Sequence, residues 1–150
     1  MAQSFLGKGW QFPVKPTLSG GLALISGEEK IRQSILLVLS TAPGERQMLP
    51  EFGCGVHDLV FQPNTAALRG LVQEKVRQAL TRWEPRIDVI DVRVETPPWD
   101  PRITGENVRI DTLADARNYL LIRIDYRLRA NNAFYNLVYP FYLREGVGSR

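Results

Sequence analysis

The sequence predicts an α+β fold, in which two helices pack on a small, mostly antiparallel sheet. Two segments of the first half carry apolar residues at the helical period, and the second half changes to alternation of apolar and charged residues. With 150 residues, 44% of them hydrophobic, the chain is long enough to bury a core. We expect an N-terminal arm over 1–20 and a single domain over 21–150, which ends in a hairpin at about 118–143.

The first helix is predicted from Gly27 to Thr41, with apolar residues on one stripe. Ser26 and Glu29 have the spacing of a capping box, in which both side chains bind backbone N–H groups at the helix start. A second, longer helix is predicted to begin after Asn64, which can cap it. This helix should end before Pro85, because the residue preceding a proline avoids the helical conformation.

Strands are predicted for the second half of the chain. Residues 90–95 and 120–128 alternate between apolar and charged side chains, which is typical of strands with one dry and one wet face. A loop is expected over 97–117, with a short strand at 108–110. Asn131-Asn132 predicts a tight turn before the last strand, since asparagine tolerates positive φ.

The last strand, Phe134 to Leu143, is apolar on both faces. It contains Pro140, and a proline within a strand is tolerated only at a sheet edge. We therefore expect it to lie at an edge and to pair with a strand of another chain. The alternative is a last strand buried within the core of its own domain. The residues assigned to strand addition are Phe134, Tyr135, Leu137, Tyr139, Phe141 and Leu143.

Two charged turns follow the two predicted helices, and both suit docking to a partner better than catalysis. The candidate docking residues are Glu45, Arg46, Glu84, Pro85 and Arg86. Because the helix dipole disfavours an anion at a C-terminus, Glu84 is expected to pair with Arg46 or with a partner's arginine. Arg86 would then bind carbonyl groups or Glu45. The alternative is an intramolecular lock between the two helix exits.

Composition argues against several classes of function. The net charge of +3 comes from 19 basic and 16 acidic residues spread along the chain, which is not typical of a nucleic-acid surface. One cysteine, Cys54, and one histidine, His57, predict no disulfide, no metal site and no cofactor, and they form only a weak candidate for a nucleophile and its base. We expect a protein made in the reducing cytoplasm, without a signal peptide or a membrane span.

The turns and the two chain ends together resemble the contractile-tail baseplate wedge family. The matching motifs are Phe5-Leu6-Gly7-Lys8-Gly9-Trp10 with Phe12-Pro13, Thr41-Ala42-Pro43-Gly44-Glu45-Arg46 with Leu49-Pro50-Glu51-Phe52-Gly53, Trp83-Glu84-Pro85-Arg86-Ile87, and Asn136-Leu137-Val138-Tyr139-Pro140-Phe141. The resemblance covers nearly the whole chain except 97–117. The last motif is most similar to the injection-particle branch of the family.

This resemblance implies a structural part of a baseplate, arranged in a sixfold ring at the bottom of the sheath. It implies that the turn from Glu84 to Arg86 grips a helical bundle of larger wedge proteins, and that the C-terminal sheet adds a strand from the first sheath subunits. Tube or hub proteins are further partners that it allows. The sequence does not distinguish a phage tail from a type VI secretion system or an extracellular injection particle.

The sequence leaves two alternatives to this function. Members of the family are often labelled lysozyme-like, and Glu45, Glu51 and Glu84 could supply the two carboxyl groups of a peptidoglycan-cleaving enzyme. No aromatic-lined sugar cleft or catalytic motif accompanies them, so we expect no catalytic residues. The third function is a free-standing adaptor that binds short peptides.

Overall fold

The computed structural model describes residues 6–96 and 119–143, and it confirms the predicted α+β class. Both predicted helices and the three strands of the second half are present. In chain order the elements are β1 (Lys8–Trp10), β2 (Leu24–Ser26), α1 (Glu28–Ser40), a 3-10 helix (Gly55–Leu59), α2 (Ala66–Trp83), β3 (Ile87–Glu95), β4 (Tyr119–Leu128) and β5 (Phe134–Tyr142).

One hydrophobic core joins the two helices to the inner face of the sheet. The apolar stripes of α1 and α2 are buried as their helical period predicts, and Leu120, Ile122 and Ile124 of β4 close the core from the other side. Leu71 is an exception, because it has the helical spacing of the α2 stripe but is 44% exposed. No described helix is long and apolar enough to cross a membrane.

Both predicted helix caps are wrong by a residue or more. Gly27 occupies the N-cap of α1 without a side-chain hydrogen bond, because Ser26 belongs to β2. Thr65, rather than Asn64, caps α2 by accepting a hydrogen bond of 3.1 Å from the N–H of Leu68. Asn64 instead accepts a bond of 3.0 Å from Arg69.

The main sheet is antiparallel, with strand order β3-β4-β5, so β4 is central. Ile124 of β4 lies opposite Val92 of β3 and Leu137 of β5. A bulge at Ile90 shifts the register between β3 and β4. Asn132, with a φ of 54°, forms the predicted turn between β4 and β5.

The N-terminal region contains more regular structure than the irregular arm that was predicted. β1 and β2 form a two-stranded antiparallel ribbon, in which Trp10 lies opposite Leu24. Leu6, just before β1, is buried in the core. The predicted strand at 108–110 lies outside the described residues.

Candidate docking sites

Glu84 lies at the C-terminal end of α2, and only 1% of its side chain is exposed. Arg86 donates two hydrogen bonds of 2.6 Å to it, from Nε to Oε1 and from Nη2 to Oε2. The predicted pairing of Glu84 with Arg46 is therefore corrected, since the carboxylate is bound two residues further along its own turn. A bidentate pair of this kind offsets the cost of burying the charge.

The surroundings of Glu84 keep it charged. Burial by itself would raise the pKa of this carboxyl, but hydrogen bonds from Arg86 and Ser34, together with the positive charge of Arg86, hold the pKa below its ordinary value. The hydrogen bond to Glu84 in turn raises the pKa of Arg86. Both groups are therefore ionised at neutral pH.

Arg86 connects three parts of the fold. Its Nη1 donates a hydrogen bond of 2.9 Å to the carbonyl of Leu6. Of its two predicted partners, a carbonyl group and Glu45, Arg86 therefore binds a carbonyl group. Its own carbonyl accepts a bond of 3.1 Å from the N–H of Arg129, just after β4. About a third of the Arg86 side chain, 34%, stays exposed, whereas Glu84 is covered. A partner that reaches this turn would therefore meet Arg86 first.

The other predicted docking turn forms a closed surface loop over 44–50. The N–H of Gly44 donates a hydrogen bond of 2.6 Å to the carbonyl of Pro50, which closes the loop. Glu45 accepts a bond of 2.9 Å from the N–H of Ala42, so its carboxylate stabilises the exit from α1. Met48, in this loop, is 96% exposed. The loop thus exposes one apolar side chain, Met48, and one basic side chain, Arg46, to solvent.

A stack of cationic and aromatic groups brings the two turns together. The guanidinium of Arg46 lies 4.1 Å from the ring centre of Phe52, and Phe52 contacts Trp83 with ring centres 5.2 Å apart. Arg82 covers the Trp83 ring at 4.8 Å and pairs with Glu51. The stack thus links Arg46 to Trp83, which directly precedes Glu84. Sequence reasoning missed this stack, although the tryptophan beside Glu84 was a signal for it.

β5 is an edge strand, since the described residues place no strand on its far side. The inner face of β5 packs on the core of its own domain. Leu137, Phe141 and Leu143 are buried, and Tyr135 and Tyr139 are half-buried. The side chains assigned to strand addition are therefore mainly core residues, apart from Phe134, and this part of the prediction is corrected. The alternative prediction, a last strand buried within its own domain, is wrong as well, because Phe134 and Val138 are exposed.

The exposed face of β5 carries the other set of residues. Phe134 is 71% exposed and Val138 is 45% exposed, and Asn136 lies between them on the same face. No charged residue occurs from Phe134 to Leu143. An uncharged apolar row beside an open edge is a surface that soluble proteins normally avoid.

The backbone N–H and C=O groups of successive β5 residues point alternately toward β4 and away from the sheet. The N–H of Leu128 donates a hydrogen bond of 3.0 Å to the carbonyl of Ala133, and the β4–β5 register continues without a shift. In an antiparallel ladder, hydrogen-bonded pairs alternate with pairs that are not bonded to each other. The odd-numbered residues of β5 therefore pair with β4, and the N–H and C=O groups of Phe134, Asn136 and Val138 point away from the sheet.

The opposite edge of the sheet, formed by β3, is built differently. Ile90 forms a bulge there, and charged side chains cover the same strand. Arg93 binds Asp91 and Asp125 at 2.8 and 2.9 Å, and Asp88 accepts bonds from Arg127 and Arg129. Bulges and charges are the devices that prevent a strand edge from pairing with another chain. Of the two edges, β5 is thus the one suited to pairing.

The Cys54 and His57 side chains bind different backbone carbonyl groups. The Cys54 thiol is buried and donates a weak hydrogen bond of 3.7 Å to the carbonyl of Lys75, while His57 Nε2 lies 3.0 Å from the carbonyl of Leu39. Burial raises the pKa of the thiol, against the weaker effects of a backbone bond from Val56 and the charge of Lys75. Among the described residues, no cluster of acidic, cysteine or histidine side chains could hold a metal ion.

The chain is similar to known proteins both in the sequence of its helical half and in its fold. Residues 25–98 match the model of the family described as baseplate wedge protein gp25. The baseplate wedge protein gp25 of Enterobacteria phage T4 is 35% identical over 68 residues, which cover 45% of this chain and 52% of the phage protein. The chain thus spans about half the length of that curated relative.

Solved structures extend the likeness over most of the chain. A candidate tail lysozyme from Geobacter sulfurreducens is 41% identical, with a TM-score of 0.66, and the match covers 83% of this chain and 98% of that one. A chain of the anti-feeding prophage baseplate has a TM-score of 0.60 at 21% identity over 97% of this chain and 93% of that one, which shows a shared fold. The chain therefore belongs to the gp25 family of baseplate wedge proteins.

Proposed function

We propose that this chain is a structural subunit of the baseplate of a phage tail or a related contractile particle, and that it starts assembly of the sheath. In this proposal the two turns dock on larger wedge proteins, and the edge of β5 accepts a strand from a sheath subunit. Family membership supports the place in a baseplate. The proposed location is thus an assembled particle, built from chains made in the cytoplasm.

The single observation that carries the sheath proposal is the contrast between the two edges of one sheet. β3 has a bulge and several charged pairs, whereas β5 is regular, carries no charged residue and exposes Phe134 and Val138. Pairing with an added strand gives backbone hydrogen bonds that any extended chain can make, and the neighbouring side chains supply selectivity. Each such bond stabilises by only about 1 kcal/mol, so several must form together with apolar burial.

For the wedge contact, we assign the docking surface to Arg46, Met48 and Arg86. Arg46 and Met48 are exposed on the loop over 44–50, and about a third of the Arg86 side chain is exposed, whereas Glu84 and Glu45 hold the two turns in shape. Pro85 restricts the backbone between Glu84 and Arg86, because its ring fixes φ. A partner with carboxylates and an apolar ridge would fit this combination of two guanidinium groups and one thioether.

We also propose that the chain has no peptidoglycan-cleaving activity. Each of the three candidate carboxylates is already engaged within the chain. Glu84 binds Arg86, Glu51 pairs with Arg82, and Glu45 accepts from the backbone of Ala42. A general acid for glycoside cleavage needs a raised pKa, and the pKa of Glu84 is instead lowered.

The sheath proposal can be tested by replacing the chain in its particle with Val138→Lys. A matched control is Ile90→Lys on the other edge, since the two side chains are 45% and 47% exposed. Electron microscopy should show baseplates without sheath for Val138→Lys and sheathed particles for Ile90→Lys. Normal sheaths on both variants, or loss from both, would contradict the assignment of the β5 edge.

The wedge contact is tested separately with Arg46→Ala, compared with Arg32→Ala. Arg32 is also exposed, and within the described part of the chain its ion pair is a long one of 3.8 Å with Glu29, so its loss should leave assembly unchanged. We expect the Arg46→Ala chain to be absent from, or depleted in, purified baseplates. Equal incorporation of both variants would exclude Arg46 from the contact.

A further inference from the structure

The open edge of β5 is interrupted by Pro140. This residue lies opposite Leu121 of β4 at a position whose backbone nitrogen points away from the sheet. A proline has no N–H group, so the β4–β5 ladder loses nothing, whereas the outer edge loses a donor. The outer edge therefore offers both donors and acceptors at Phe134, Asn136 and Val138, but only an acceptor at Pro140.

We propose that Pro140 sets the register of the docked strand, which pairs with the Phe134–Val138 half of β5 and ends or bends away at Pro140. This inference rests on the proposed function. A residue placed opposite Pro140 would leave its carbonyl without a donor, against the proline ring. Shifting the strand by two residues toward the C-terminus thus exchanges a full pair of hydrogen bonds for an incomplete one.

The same geometry describes the partner segment. It is an extended stretch of about five residues, since three positions of β5, each two residues apart, must be matched. Its apolar side chains lie opposite Phe134 and Val138, which are four residues apart and exposed. A polar side chain fits opposite Asn136. A segment with this pattern covers the apolar row and satisfies all six outward backbone groups of Phe134, Asn136 and Val138.

Amide hydrogen exchange of the full-length chain, alone and with the unpolymerised sheath subunit of the same particle, tests this register. We expect exchange at Phe134, Asn136 and Val138 to slow at least tenfold in the complex, with no change at Tyr142. Slowing that continues past Pro140 to Tyr142 would overturn the proposed register. A complex without slowing on β5 would overturn strand pairing, and the absence of a complex would overturn the proposed function itself.

Substitutions at Val138 and at Pro140 complete the test. Val138→Pro removes an outward donor and should weaken binding of the sheath subunit at least tenfold, whereas Val138→Ala keeps the donor and should stay within threefold. Pro140→Ala restores the missing donor, so protection in the complex should extend to the amide at position 140. Equal binding by the two Val138 variants, or an unchanged protected region in Pro140→Ala, would overturn the role assigned to Pro140.

Discussion

Glu84 and Arg86 are joined by two hydrogen bonds of 2.6 Å across a single proline, and the carboxylate of this pair is buried. The pair connects the end of α2 to Leu6 of the N-terminal segment, through the third bond that Arg86 donates. A turn that the family resemblance assigns to partner binding thus also holds the subunit together. The effect of a substitution in this turn on stability must therefore be measured before its effect on docking is interpreted.

Replacing Glu84 by alanine is expected to destabilise the fold by roughly 3 kcal/mol, because it leaves Arg86 partly buried without its counter-charge. Urea unfolding measures the loss. Glu51→Gln is the control, since the exposed pair of Glu51 with Arg82 should contribute less than about 1 kcal/mol. Similar losses in the two variants would show that the Glu84–Arg86 pair contributes no more than a surface pair.

Acid should weaken the fold partly through Glu84. The pKa of Glu84 is lower in the folded protein than its value of about 4.3 in an unfolded chain, so the folded state binds this proton more weakly. The stability from Glu84 is therefore complete above about pH 4.3 and is lost as the pH falls through the folded-state pKa. Unfolding free energies at several acidic pH values should fall more steeply in the wild type than in Glu84→Gln. Parallel curves would contradict this.

The two faces of β5 should respond differently to truncation. Leu137→Ala is expected to cost about 2 to 5 kcal/mol, because this side chain is buried in the core. Phe134→Ala should change stability by less than about 0.5 kcal/mol, since Phe134 is exposed in the free subunit. Thermal and urea unfolding of the isolated chain measure both effects. A large loss for Phe134→Ala would mean that its side chain already has a partner within the subunit.

Cys54 should be unreactive in the folded protein. Its side chain is fully buried, and burial raises its thiol pKa, so both access and thiolate formation are suppressed. We expect a chromogenic disulfide reagent to react at least about tenfold more slowly with the native chain than with the chain in denaturant. The chain has one cysteine, so the signal has a single source. Fast reaction of the native protein would reopen the question of a nucleophilic role.

The sequence by itself determined the elements whose signals are local. The period of nearby residues predicts the apolar stripes of α1 and α2 and the alternation along β4. The residue type alone predicts the turn at Asn132, because asparagine tolerates positive φ. The stop of α2 at Pro85 is local for the same reason. The motifs around both turns likewise identified the family.

Only the tertiary structure decided where the charges pair and which face of β5 is buried. Arg86 is close to Glu84 in the chain, but the burial of this pair depends on contacts with Ser34 and Leu6, which are distant in sequence. β5 is apolar on both faces, so its pattern could not identify the inner one; the burial of Leu137 and Phe141 in the core does so. Contacts between residues far apart in the chain leave no periodic trace in it, and the proposed docking surfaces depend in part on such contacts.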